Sequence, residues 1–341
     1  MNDMHNIKRP AYAAMSAEIG KVVIGYDDII GLCIRGILAD GHILLTSLPG
    51  LAKTTLANTL AAVIEGAVPG RFQALPDSQA SDIVGKMVYN QKTGEYMAVP
   101  GPIIGKNIFL YDEANRTGPK TNAAVLQPMQ EKKVTIDGGP TYNCPELFFV
   151  ICTRNPIEQE GTYDLPEAMI DRVTGEGLMG YVSEDNEMKI VRKTALRKGD
   201  ASKMVTNVIT IAQILEDRIK INEMVETMPD ELVRYIVRLV RATRPQLKAD
   251  FSKVKSKTSG VDYSQLVSNG ASVRAQQNIA VCAAAVAFLN GRENVTPDDV
   301  KFVARDILRA RIGKSEKGYN RFNADEFISS LLDSVEIVGA K

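Results

Sequence analysis

The chain has 341 residues, 45% of them apolar, which is too long for one average domain and apolar enough for two buried cores. Its 41 basic and 41 acidic residues cancel to a formal net charge of zero, which argues against a dedicated nucleic-acid binder, usually basic overall. The four cysteines (Cys33, Cys144, Cys152 and Cys282) form no C-x-x-C pair and stand far in sequence from His5 and His42, which argues against a zinc site.

Residues 1–40 read as helix, break, helix, with Gly25 supplying the break. The N-terminus lacks the apolar segment of a signal peptide, and no run approaches the ~18 apolar residues of a membrane span, so the chain is expected to be cytoplasmic. Most cysteines have apolar neighbours and read as buried thiols. Ile43–Leu45 is a short apolar run, a buried strand. After TSLPGLAKTT, the stretch LANTLAAVIEG has helical spacing and is expected to stop at Gly66. Residues 70–105 read as broken, with a hairpin turning at Lys92–Gly94. NIFLYDEANR gives a second strand ending in Asp112–Glu113, NAAVLQPMQE a helix, and VTIDGGPTYN a hairpin turning at Asp137–Gly139. ELFFVICTRNP is a third buried strand. Strands alternating with helices predict a mainly parallel sheet covered on both faces, over residues 1–180. Residues 181–341 are almost wholly helical in period. Thr296 caps a helix with Pro297 in its first turn. The polar, basic stretch 248–260 is expected to be a mobile loop.

TSLPGLAKTT, residues 46–55, resembles a phosphate loop but departs from Gly, four residues, Gly-Lys-Ser/Thr. Ser47 stands at the first glycine and Ala52 at the second. Phosphate binding needs inward backbone amides, a lysine for the terminal phosphates and a hydroxyl for Mg²⁺. Lys53 and Thr54 supply the last two. Pro49 and Gly50 shape the turn, Leu51 and Ala52 lead into the helix, and Thr55 follows. At Ala52, small size is expected to matter more than glycine torsions. The helix N-terminus favours an anion. An ordinary strand–turn–helix with an exposed lysine remains the alternative on this stretch alone. Asp112–Glu113 lowers its weight: Asp112 would orient the water shell of Mg²⁺, and Glu113 would polarise the attacking water.

Taken together, LPGLAKTTLA, GPIIGKNIFLYDEANR, LQPMQEKKVTIDG, TRNPIEQEGTYDLPEAMIDR, RATRP, GASVRA and GRENVTPDDV resemble the MoxR group of AAA+ ATPases over nearly the whole chain. The resemblance implies an α/β P-loop AAA+ core followed by an all-α lid domain, using ATP and Mg²⁺. It implies that Asn155 is a sensor for the attacking water. Arg172 would be an arginine finger reaching a neighbouring subunit's γ-phosphate, and Arg274 a lid sensor for the γ-phosphate of its own subunit. Val23, Ile24 and Gly25 would line the adenine pocket. Residues 78–104 and 132–144 resemble two insertions, whose Met87, Tyr89, Tyr96 and Tyr142 either meet a pore or partner or pack the hairpins. Arg116 and Arg154 flank the site without assigned roles. The family departs from this chain at Ser47, usually Gly, and Val173, usually Phe. The implied assembly is a hexameric ring that remodels, matures or inserts metal into an unknown client, with a von Willebrand A domain partner. A P-loop kinase and a nucleotide-gated binding module with little turnover are the rival functions. The guanine signature Asn-Lys-x-Asp is absent, yet GTP stays open beside ATP.

Overall fold

The computed structural model describes residues 7–156, 163–194, 204–256, 261–318 and 321–337. Contacts divide the chain into two compact units. One is an α/β unit of Pro10–Val173 and Gly177–Glu216; the other gathers the residues up to Arg9, Thr174–Glu176 and everything from Asp217.

The α/β unit opens with α1 (Pro10–Gly20) and α2 (Asp27–Leu38), separated as expected at Gly25, whose φ is +83°. Then come β1 (Ile43–Ser47), α3 (Lys53–Ala62), β2 (Ile64–Glu65), β3 (Pro69–Gln73) and α4 (Ala80–Val84). They are followed by β4 (Gly85–Asn90), β5 (Glu95–Pro100), β6 (Ile108–Asp112), α5 (Pro119–Glu131), β7 (Lys133–Thr135) and β8 (Thr141–Asn143). The unit continues through β9 (Phe149–Arg154), α6 (Glu167–Arg172), β10 (Gly175–Met179), α7 (Glu184–Thr194) and β11 (Ile209–Thr210). Five strands form one sheet in the order β10–β1–β9–β6–β3. The ladders β1–β9, β9–β6 and β6–β3 are parallel, with Ile43 opposite Ile151, Ile108 opposite Phe149 and Gln73 opposite Asp112. Every residue of β6 is buried, and so is all of β9 but Arg154. Side chains alternate between faces, so both faces of these strands are covered. The chain leaves β1, crosses to the far edge at β3 and works back, while β10 lies on the other side of β1. The carboxyl end of β1 therefore opens a crevice at a reversal of strand order, where α/β sheets take ligands.

Three local expectations are corrected. The helix after the phosphate loop ends at Ala62 rather than Gly66, because Ile64–Glu65 leaves it to pair with β11. PGRFQ, read as part of a broken region, is the edge strand β3. Its proline is tolerated there as the first residue of an edge strand. The boundary expected after residue 180 falls at Asp217, because α7 and β11 pack with the sheet unit.

Both hairpins form where expected. β4 pairs with β5 from Gly85–Pro100 to Asn90–Glu95, and Gly94 turns at φ +72°. β7 pairs with β8 around Gly138 at φ +66°. Met87 packs between them: a Cβ added to Gly139 would lie 2.6 Å from its sulfur. Tyr89 and Tyr96 instead face solvent as a cross-strand pair with ring centroids 5.3 Å apart. Tyr142 is half-buried.

α8 (Ile211–Glu226) crosses the boundary into the helical unit. That unit holds α9 (Asp230–Arg241), α10 (Lys248–Phe251), α11 (Tyr263–Leu266), α12 (Val273–Leu289), α13 (Pro297–Leu308) and α14 (Ala324–Ser334). α12 is its axis, packed on α9 and α13, with an apolar run from Ala283 to Leu289 buried. One small ladder interrupts the helices, β12 (Val267–Asn269) with β13 (Gly313–Lys314). The stretch expected as a loop at 248–260 begins as α10, with Phe251 stacked on Phe327; residues 257–260 lie outside the described residues. Among the described residues, no helix is long and apolar enough to cross a membrane. All four cysteines are free thiols; Cys33, Cys152 and Cys282 are buried and Cys144 partly so.

Candidate functional site

The phosphate-loop stretch runs from the end of β1 to the start of α3. Ser47 closes β1, fully buried, and its hydroxyl donates to the Leu48 carbonyl at 3.0 Å. Pro49 and Gly50 form an exposed turn, with Gly50 at φ +79° and open space where a Cβ would stand. Leu51 is half-buried. Ala52 caps α3 in the left-handed region, φ +56° and ψ +23°. The expectation that only its size would matter is therefore corrected: this position asks for glycine torsions. An L-residue there costs roughly 1–2 kcal/mol. Alanine also has no side-chain acceptor, so no side chain caps the first-turn amides of α3. A turn of exposed backbone before an uncapped helix N-terminus fits an anion such as phosphate.

Lys53 is the first residue of α3 and is 8% exposed. Its Nζ lies 3.7 Å from Oδ1 of Asp112, the last residue of β6. Thr54 and Thr55 follow on the same turn, both half-buried. Asp112, 4% exposed, receives the Thr153 hydroxyl on Oδ1 at 2.8 Å and an Arg71 guanidinium NH on Oδ2 at 2.8 Å. Glu113 is left-handed at φ +57°, and its backbone N–H donates to the Thr153 hydroxyl at 2.8 Å. That kink sends successive carboxyl groups along different paths: Asp112 to the lysine, Glu113 to an ion pair with Arg116 at 2.9 Å. Thr153 thus holds both acids from the neighbouring strand.

Asn155 follows β9. Its backbone N–H donates to the Asn115 side-chain oxygen, and the Asn115 amide donates back to its carbonyl, each at 3.2 Å. Arg154 donates through Nε to the Thr46 hydroxyl at 2.7 Å, tying β9 to the loop stem. Val23 is buried, Ile24 half-buried and Gly25 exposed. A Cβ on Gly25 would lie 2.6 Å from Asn186 Nδ2 and 2.9 Å from Val182 Cγ1, so this loop lies directly against residues 182–186. The neighbouring Tyr26 hydroxyl donates to the Gly180 carbonyl at 2.9 Å.

The α/β unit therefore brings Lys53, after β1, to Asp112 and Glu113, at the end of β6, with β9 and its following Asn155 between the two strands. Arg172 is not among their contacts. It ends α6, donating to the Gln130 side chain at 3.0 Å and the Ala168 carbonyl at 2.8 Å. Arg274 belongs to the helical unit, in the first turn of α12, where its backbone N–H is capped by Ser272 at 3.1 Å. Residues 157–162 of the most specific motif lie outside the described residues. Arg71, Thr153 and Asn115 were missed from sequence. Each reaches the site across strands, and only Thr153, two residues before Asn155 in CTRN, carried a local signal.

A loop of open backbone, a buried lysine and strand-end acids together suit the phosphates of a nucleotide. Residues 42–174 match the family model "ATPase family associated with various cellular activities (AAA)", and 263–329 match the AAA lid domain. The chain is 35% identical over 311 residues to Chaperone MoxR1 of Mycobacterium tuberculosis, covering 91% of this chain and 76% of that protein. It belongs to the MoxR family of AAA+ ATPases. YeaC of Bacillus subtilis is 34% identical over 338 residues, covering 98% of this chain and 96% of that one. The fold also matches the crystal structure of a candidate ATPase of Cytophaga hutchinsonii, with a TM-score of 0.83 and 36% identity over 98% of this chain and 97% of that one. The AAA domain implies nucleotide binding.

Proposed function

We propose that this MoxR-family protein hydrolyses ATP with Mg²⁺ and uses the cycle to remodel a client protein. One observation carries the reading: Asp112 and Glu113 leave the end of β6 toward different partners, one to Lys53 and one to Arg116. That geometry divides a cation-holding acid from a water-activating one. Lys53 neutralises the terminal phosphates, and the first-turn amides of α3 receive their oxygens. Thr54 and Asp112 would hold Mg²⁺, which when bound supplies positive charge to the phosphoryl group. The donor set fits this ion, which usually takes one or two protein oxygens and keeps its waters. Glu113 accepts the proton of the attacking water, and Asn155, held through its backbone by Asn115, orients that water. Val23, Ile24 and Gly25 take the base.

Arg172 is engaged with Gln130 of its own chain, outside the Asp112 cluster, which suits a finger offered to a neighbour. The reading therefore includes a ring, hexameric by family likeness, in which Arg172 and Arg274 complete each site. A chaperone-like role in the cytoplasm, with a von Willebrand A domain partner and a client needing maturation or metal, follows from the likeness to the MoxR proteins. ATPase activity per subunit, measured against protein concentration, tests this. It should rise cooperatively as rings form; concentration-independent turnover would point to a kinase-like monomer.

A nucleotide-gated binding module with little turnover is the second reading, and one contact favours it: Arg116 already holds the Glu113 carboxylate. Multiple-turnover kinetics beside nucleotide affinity separate the two.

A further inference from the structure

The two oxygens of the Asp112 carboxylate are held in different ways. Oδ1 is fixed from inside the protein: Thr153, itself fully buried, donates to it at 2.8 Å, and the buried Lys53 stands 3.7 Å away. Among the described residues, Oδ2 is held by Arg71 alone, at 2.8 Å. The Arg71 side chain is 42% exposed and rises from the edge strand β3, where the same guanidinium nitrogen also donates to Gln73 at 2.8 Å. One oxygen thus has a permanent donor and the other a removable one.

A nearly buried carboxylate is costly when under-compensated, and Lys53 stands nearer Oδ1, so Oδ2 favours a second cationic partner. Two cations on one oxygen repel. Arg71 can leave without stranding a buried charge, because nearly half of it is already in solvent, and Gln73 offers it an uncharged acceptor. Lys53 cannot leave in this way, being 8% exposed.

We infer that Arg71 is a positioning residue that competes with Mg²⁺ for Oδ2 of Asp112, so that Mg·nucleotide loads by displacing the guanidinium. The consequence is a threshold: Arg71 raises the Mg²⁺ concentration needed for tight nucleotide binding and links the edge strand β3 to the loaded state. This rests on the reading of Asp112 as the cation-holding acid.

The test is binding, not turnover. A fluorescent ADP analogue is titrated into the full-length protein over a series of Mg²⁺ concentrations, for wild type, Arg71→Ala, Arg71→Gln and Arg71→Lys, each checked for folding by circular dichroism. Removing the guanidinium should lower the half-saturating Mg²⁺ roughly three- to tenfold, in line with a hydrogen bond to a charged group discounted for exposure. Arg71→Lys, which keeps the charge, should stay near wild type. Arg71→Gln gives the same reading should the alanine variant fold poorly. An unchanged Mg²⁺ midpoint in both neutral variants overturns the competition. A raised midpoint also overturns it, by making Arg71 a support that orients Asp112 for the ion. Wild-type protein that binds the analogue at no Mg²⁺ concentration overturns the nucleotide-site reading as well, which separates the two failures.

Discussion

Two buried aspartates, one in each unit, show how differently a fold uses the same group. Asp299, in the first turn of α13, is fully buried and closed by its sequence neighbours. Arg292 grips both its oxygens at 2.6 and 2.7 Å, and the backbone N–H and hydroxyl of Thr296 each donate to it at 2.8 Å. All of this lies within residues 292–299. Its hydrogen bond to Asp299 holds the Arg292 guanidinium above its ordinary pKa. Asp112 is almost as buried, yet its partners come from α3, β3 and β9, and one of them, Arg71, is partly in solvent. A closed local network stabilises a helix start. A network drawn from three distant elements, with one removable member, can exchange partners.

The largest expected effects fall on the open network and its outlying arginine. Arg172→Ala should reduce turnover by roughly 10³–10⁵-fold, the range for arginine fingers, while nucleotide affinity stays close to wild type. Mixed with Lys53→Ala subunits, which keep the finger, it should regain part of the activity once subunit exchange is verified. A variant that hydrolyses ATP at the wild-type rate rejects the finger. Glu113→Gln should likewise keep binding and lose roughly 10²–10⁴-fold in rate, as expected for removal of a general base. Loss of binding together with rate would make Glu113 structural, and the contrast with Asp299 would narrow.

The closed network should fail in the opposite way. Asp299→Ala removes the partner of Arg292 and the helix cap together. It should cost about 2–4 kcal/mol, the low side of a broken buried pair because Arg292 is partly exposed. Denaturant unfolding would measure it. Nucleotide affinity of the α/β unit, measured below the unfolding transition, should hold. A loss of affinity without a loss of stability would erase the distinction drawn here.

How much of this was legible in sequence follows the same division. The cap at Thr296 was readable because Thr, Pro and Asp stand within one turn. The phosphate loop and the strand-end acids were readable because each is a short run with a fixed order of residue types. Arg71 was hidden because β3 begins with Pro and Gly and presents arginine and glutamine outward, a pattern that resembles a loop. Asn115 was hidden because its work is done on the backbone of Asn155, forty residues away. The boundary between units was misplaced because α7 has helical period like the lid, while its packing lies with the sheet.

A smaller effect separates loop geometry from loop chemistry. Ala52 and Glu113 both sit at positive φ, one in the loop and one after the acid. Ala52→Gly should stabilise the protein by about 0.5–1 kcal/mol, the relieved left-handed strain exceeding the added chain entropy. Equilibrium denaturation would detect it, and a destabilised variant would show that the strain is absorbed elsewhere.

The smallest effect near neutral pH, and the one that sets the core of the α/β unit apart from its hairpins, concerns the thiols. Burial pushes Cys33 and Cys152 up to about 12, and Cys144, beside the second hairpin and only partly buried, up to about 11. The thiolate is the reactive form, so at pH 8 all three should resist iodoacetamide in the folded protein. Cys144 should react first, being both less shifted and more open. The stability consequence has a definite sign. In the unfolded chain these thiols ionise near 8.5, while in the folded chain they stay protonated to higher pH. Above that value the unfolded state binds fewer protons, so stability falls with rising pH until the folded values are passed. The slope should fade below about pH 7, where the unfolded thiols too are protonated. Denaturant midpoints at pH 7, 9 and 10.5, compared between wild type and Cys33→Ala, would show the alkaline loss shrink in the variant if Cys33 carries its share. An equal alkaline loss in both would move the cause to other groups. Rapid alkylation of Cys33 at pH 8 in folded protein would contradict the packing of α2 itself.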